Sequence, residues 1–182
     1  MSYRTILIDP PWPERGGGRI KRGADRHYAL LRLEDIVPTI LRAPWTAADD
    51  AHLYLWATNT NLPFAVSMFP ALGFRYITAI TWAKPSAGIG QYFRGQTEHL
   101  LFGVRGKGLA LRREHSDRRD LSTLIETESK RRKHSRKPLE AYELIEAASP
   151  APRVELFART AREGWDAWGH EAPNVEASQG AA

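Results

Sequence analysis

The first apolar run of the chain, Thr5-Ile6-Leu7-Ile8, ends in Asp9-Pro10-Pro11-Trp12, residue types suited to chemistry on the exocyclic amine of a nucleobase. Such an amine, adenine N6 for example, is a poor nucleophile because its lone pair is delocalised into the ring. Methylating it requires acceptors that hold both N–H bonds and localise that pair. Asp9 supplies one charged acceptor. Proline keeps its carbonyl but has no N–H, so the Pro-Pro turn offers the Pro10 C=O as a second acceptor without a competing donor. Trp12 has two readings: it stacks on a base face, an interaction worth about 1–3 kcal/mol, or it is a core or rim aromatic beside a turn that ends a strand. The end of a strand is also where catalytic groups of open α/β sheets gather.

The elements that must position these residues follow from composition and pattern. The 182 residues are compatible with one domain and can bury a substantial core. Lys plus Arg number 26 against 21 Asp plus Glu, with a pI near 9.7, a basic balance that points to a polyanionic partner such as nucleic acid. The chain has no cysteine, which excludes disulfides and thiolate metal sites and makes a reducing cytosol its natural setting. No stretch approaches about 18 apolar residues and the N-terminus lacks a secretory apolar region, so a soluble, cytoplasmic protein with no membrane partner is expected. The six histidines show no H-E-x-x-H or comparable spacing, so no metal is expected.

Residues 3 to 8 predict a strand, 13 to 26, with Gly16-Gly17-Gly18, a loop, and 33 to 42 a helix whose Pro38 must sit near an end or kink it. A strand at 51 to 57, a helix at 62 to 72, a strand at 76 to 82, a glycine-rich loop and a strand at 99 to 104 follow. After a basic connector come a short strand at 123 to 127, an amphipathic helix at 138 to 148 with proline in its first turn, and a last strand at 153 to 158. This βαβ rhythm predicts a mixed, mostly parallel sheet with helices on both faces.

The sequence resembles the S-adenosylmethionine-dependent adenine methyltransferases with a DPPW signature. That family includes the catalytic large subunit of the messenger-RNA N6-adenosine methyltransferase and many small bacterial and phage DNA methyltransferases. The resemblance runs over residues 3 to 171. Its marks, in family order, are Asp9-Pro10-Pro11-Trp12, His27-Tyr28, Leu53-Tyr54-Leu55-Trp56-Ala57-Thr58, Thr81-Trp82-Ala83-Lys84, Gly88-Ile89-Gly90 with Arg94-Gly95 and Glu98-His99-Leu100-Leu101, His134 to Pro138, Glu155-Leu156-Phe157-Ala158-Arg159, and Gly164 to Gly169.

The resemblance implies a Rossmann-like methyltransferase fold in circularly permuted order, the catalytic motif preceding the cofactor motif. It implies one domain over residues 1 to 171, with 172 to 182 a small, polar, disordered tail. The absent G-x-G-x-x-G then needs no explanation, because S-adenosylmethionine has no pyrophosphate for such a loop to bind. By resemblance Lys137 pairs with the methionine carboxylate and Asp9 with the methionine ammonium, while Arg159, His170 and Glu171 hold the ribose and adenine. The family commonly has amide side chains where this chain has His170 and Glu171.

Tyr28, Trp56 and Trp82 would line the base pocket, although core packing explains the two tryptophans equally well. Glu98 would contact the target base or order the loop before it. Lys137 alone could be one charge of the solvated run Lys130 to Lys137. The connector 105 to 137, with twelve Lys or Arg against five Asp or Glu, would suit phosphate contacts or be a solvated loop. The implied activity is methylation of adenine N6 in nucleic acid, DNA before RNA. The alternative is a catalytically idle binding subunit of the same fold, which could serve as a partner to an active one.

Overall fold

A computed structural model describes residues 1–13, 31–88, 92–107, 121–127 and 137–169. Its strands are β1 (Ser2–Ile8), β2 (Thr46–Thr58), β3 (Arg75–Ala83), β4 (Thr97–Arg105), β5 (Leu124–Glu126), β6 (Arg153–Leu156) and β7 (Asp166–Trp168). Its helices are α1 (Leu33–Arg42), α2 (Leu62–Ala71) and α3 (Leu139–Ala148), with a 3₁₀ turn at Asn59–Asn61 leading into α2. The predicted loop over 13 to 26 and the tail from 172 lie outside the described residues, apart from Pro13. No described helix is long and apolar enough to cross a membrane.

The strands form one seven-stranded sheet in the order β5-β3-β4-β2-β1-β6-β7. Antiparallel pairing is confined to β4, against both β2 and β3; the other neighbours are parallel. The strand alternation sorts side chains between two cores. Ile6, Ile8, Leu53, Leu55 and Ala57 face α1 and α2, where they meet Ile36, Ile40, Met68 and Phe69. Leu7, Tyr54, Trp56, Leu100 and Trp82 face α3, where they meet Ala141 and Ile145. Helices therefore cover both faces, as the mixed, mostly parallel reading requires.

The register decides what meets at the carboxyl edge. Ile8 stands between Leu55 of β2 and Leu156 of β6, so Asp9 leaves the sheet at its middle. Thr58, at the end of β2, pairs with Glu98 near the start of β4, and Glu98 pairs on its other side with Trp82 near the end of β3. Because β4 runs against its neighbours, its first residues lie where theirs end.

Several boundaries differ from the sequence expectations for identifiable reasons. Strand β2 begins five residues before 51, through Asp49 and Asp50, whose charges hide the strand pattern; its early pairing with β1 is interrupted by a bulge between Tyr3 and Thr5. Pro38 lies within α1 and not at its end. Pro38 and Glu34 are both exposed, so the carbonyl that loses its helical partner faces water. Pro138 caps α3 from outside its first turn. Strand β6 stops at Leu156 because Phe157 turns to φ 63°, a left-handed conformation that ends extended pairing. The three-residue β7 had no alternation long enough to announce it.

At Gly103 helix α2 packs directly against the sheet. A Cβ there would collide with the ring of fully buried Phe69 and lie 2.8 Å from the Arg75 carbonyl. Neither neighbour can yield, so Gly103→Ala should lower the unfolding free energy by about 1–3 kcal/mol. Urea denaturation checks this, and an unchanged midpoint would contradict the packing described.

Candidate active site

Four hydrogen bonds fix the Asp9-Pro10-Pro11-Trp12 turn, among them one from Leu31 N–H to the Pro11 carbonyl at 3.1 Å. Asp9 N–H donates to the Leu156 carbonyl of β6 (3.4 Å) and Trp12 N–H to the Pro10 carbonyl (2.8 Å). The Trp12 indole Nε1 donates to the Trp56 carbonyl of β2 at 2.9 Å. Trp12 is only 5% exposed, belongs to the α1/α2 core and meets Phe64 edge-on at 6.4 Å. This corrects the stacking-ring expectation: a buried indole has no free face for a base, and Trp12 instead anchors the turn to β2. The Pro10 carbonyl already accepts one hydrogen bond and retains one lone pair.

Across the edge runs a chain of alternating charges. Lys137, just before α3, places Nζ 2.9 Å from Asp9 Oδ1 and 3.1 Å from Glu98 Oε2. The other oxygen of Glu98, Oε1, accepts from Lys84 Nζ at the end of β3. Both ammoniums sit over indoles, Lys137 5.2 Å from the Trp56 ring centre and Lys84 5.3 Å from that of Trp82. Lys137 is therefore no surface charge of a basic run. Burial alone would lower its basicity, but Asp9 and Glu98 outweigh that and raise it. Burial alone would raise Glu98, yet Lys137 and Lys84 together hold its carboxyl below the usual range. Asp9, Lys137, Glu98, Trp56 and Trp82 are thus brought together. The Trp56 indole Nε1 is buried and has no hydrogen-bond partner among the described residues.

Sequence reasoning missed a second group, on β6. Glu155 pairs in register with Leu7 and is buried, accepting from Tyr142 Oη at 2.9 Å. Arg162 lies 3.9 Å from the centre of the Tyr142 ring, and Trp165 meets that ring edge-on at 5.8 Å. A charged residue between Val154 and Leu156 in an apolar strand was the signal available. Next come the left-handed Phe157 and a close crossing, where a Cβ on Gly169 would lie 2.6 Å from the Ala158 carbonyl. The backbone of residues 157 and 158 thus leaves no room for a Cβ at position 169. Half-buried Arg159 follows them. Tyr28, His170 and Glu171 lie outside the described residues.

The donor set fits a methionine-like zwitterion. Such a ligand brings one carboxylate and one ammonium, and a buried Lys137–Asp9 pair can exchange its internal partner for each. Among the described residues no cluster of three or more His, Cys, Asp or Glu could hold a metal ion.

Burial is the main cause that raises Glu155 to about 7; the Tyr142 hydrogen bond opposes it and Asp9 adds to it. The folded state thus holds a proton on Glu155 that the unfolded chain releases near pH 4.5. Stability from this group is present below that pH and lost as pH rises through 7, by about 3 kcal/mol in all. Glu155→Gln should therefore gain stability relative to the parent on going from pH 5 to pH 8, read by denaturation at both values. A pH-independent difference would contradict the assignment.

Residues 3–171 match the MT-A70 family. The chain is similar to the type II methyltransferase M.MunI of a Mycoplasma species, 30% identical over 192 residues that cover 95% of this chain and 79% of that one. It is also similar to a probable N(6)-adenosine-methyltransferase MT-A70-like of Oryza sativa subsp. japonica, 27% identical over 96% of this chain and 24% of the other. A third relative is the N6-methyladenosine RNA methyltransferase MTA1 of Pyricularia oryzae, 27% identical over 93% and 47%. The chain spans about a quarter of the plant relative and about half of the fungal one. With that match over nearly its whole length, and with the Asp9 turn facing Lys137 across the sheet edge, the chain belongs to the MT-A70 family.

Proposed function

We propose that the chain methylates the exocyclic N6 amine of adenine in DNA, with S-adenosylmethionine as methyl donor. The observation that carries this reading is the buried Asp9–Lys137 pair beside Glu98 at the carboxyl edge of the sheet. Bound S-adenosylmethionine supplies a methyl group on a sulfonium, which any nucleophile with an available lone pair can accept. The task left to the protein is to make adenine N6 such a nucleophile.

Asp9 accepts one N–H of the amine and the Pro10 carbonyl the other, drawing the lone pair out of the ring toward the methyl group. Pro11 fixes the turn between them, and Trp12 pins it to β2. Lys137 holds the carboxylate of the methionine end and Asp9 also faces its ammonium. Arg159, with His170 and Glu171, serves the ribose and adenine end. Tyr28 and Glu98 serve the target base, whereas Trp56 and Trp82, buried as Trp12 is, line the site from beneath by holding the two lysines over their rings; Glu98, ionised between those lysines, is an acceptor there. The target adenine enters unpaired, flipped from a duplex at a cost of a few kcal/mol or presented in a single strand.

The permuted reading is supported by the parallel pairing of β1, which carries the Asp9 turn, with β6, which lies far from it in sequence. DNA is favoured over RNA because the chain is 30% identical to the type II methyltransferase against 27% for the plant adenosine and fungal RNA enzymes. A cytoplasmic location accords with the cysteine-free composition.

Incubation with labelled S-adenosylmethionine and separate DNA and RNA substrates tests the proposal. Label should appear on adenine in DNA, and Asp9→Ala should reduce transfer by about 100-fold or more while leaving nucleic-acid binding in place. Transfer to RNA alone would overturn the substrate assignment. No transfer, with binding unaffected by Asp9→Ala, would replace the enzyme with an idle binding subunit.

A further inference from the structure

Glu98 has two cations, and the proposed function draws one of them away. Lys137 is shared between Asp9 and Glu98. On the reading above, which this inference rests upon, Lys137 turns to the carboxylate of the methionine end when cofactor binds. Glu98, with its side chain only 15% exposed, then needs another partner to remain a carboxylate.

Lys84 is built to be that partner. Its backbone N–H donates to the Gln96 carbonyl at 2.8 Å, and Gln96 Nε2 donates back to the Lys84 carbonyl at 3.1 Å. These two bonds tie the end of β3 to the residues entering β4. Register places Trp82 directly opposite Glu98, and the Lys84 ammonium reaches over the Trp82 ring to the glutamate oxygen that Lys137 does not use.

The charged and titratable groups facing Glu98, among the described residues, are Lys84 just after β3, Lys137 from the segment before α3, Asp9 beyond Lys137, and His99 next to it in β4. His99 is no substitute. Burial depresses its basicity against the pull of Glu98, and its ring is engaged with Thr81 Oγ1 at 3.2 Å and Asn59 Oδ1 at 2.7 Å.

We propose that Lys84 is a positioning residue: it is the counter-ion that keeps Glu98 ionised and aimed at the base once Lys137 engages the cofactor. Lys84 touches neither reacting group. Its effect passes through Glu98 and is conditional on the cofactor site being filled.

The test follows the Glu98 carboxyl by NMR in protein labelled with ¹³C-glutamate, assigned with Glu98→Gln, with and without S-adenosylhomocysteine. In the parent, Glu98 should stay ionised from pH 5 to 9 in both states. In Lys84→Met it should stay ionised when free, and its titration midpoint should move up by about one pH unit or more on binding S-adenosylhomocysteine. Lys84→Arg should restore the parent behaviour. If Lys84→Met does not fold, Lys84→Gln, which keeps polarity without the charge, reads the same titration. A midpoint unmoved by S-adenosylhomocysteine, or moved equally in both states, overturns the proposal. Calorimetry on the parent separates the two failures: binding of S-adenosylhomocysteine without a Glu98 effect defeats this inference alone, whereas no binding defeats the cofactor reading beneath it.

Discussion

The ion pair between Lys137 and Asp9 is the constraint on which the rest of the site depends. An ammonium removed from water is costly unless carboxylates surround it, and deleting one partner of such a buried pair typically costs about 3–5 kcal/mol. Lys137 has two carboxylates and an indole face. For those groups to converge, the end of β1, the start of β4 and the segment entering α3 must reach one edge of the sheet. The strand order achieves this by placing β2 between β1 and β4 and by reversing β4 alone. The fold can therefore be read as the scaffold that brings a sequence-distant lysine, 128 residues after Asp9, to that aspartate.

Much of this was legible in the chain. The strand and helix periodicities located β1, α1, α2, β3, β4 and α3 to within a few residues, because each buries a regular stripe. Asp9 and Lys137 were singled out from motif and resemblance, and they meet. What was not legible depended on tertiary neighbours. Trp12 looked like a stacking ring because its type suits a base, but its indole N–H finds the Trp56 carbonyl and its faces find the core. Nothing local to residue 12 distinguishes those outcomes. The β7 strand is too short to show a period, and the charges of Asp49 and Asp50 hid the first third of β2.

The tryptophans illustrate how the same residue type serves different ends in one site. Trp12 acts as a clamp, holding the aspartate turn against the neighbouring strand. Trp56 and Trp82 lie in the opposite core, yet each offers a ring to an ammonium of the charge chain. Core packing and site lining are thus not alternatives for these two side chains. On the β6 side, burial raises the Glu155 carboxyl to about 7, with the Asp9 charge adding to the rise and the Tyr142 hydrogen bond, Arg162 and Lys137 opposing it. The site therefore holds carboxyls of contrasting character, Glu98 held below the usual range by lysines and Glu155 raised toward neutrality by burial. Such separation of neighbouring acids is common where ligands are bound and positioned.

The central claim is that the Lys137–Asp9 pair opens to receive the zwitterionic end of the cofactor. A calorimetric double-mutant cycle with S-adenosylhomocysteine on the parent, Asp9→Asn, Lys137→Met and the double variant tests it most directly. Each single change should weaken binding by about tenfold or more, and the two losses should be strongly non-additive, since each residue is the other's partner when the site is empty. Binding that is unchanged in both single variants would contradict the account.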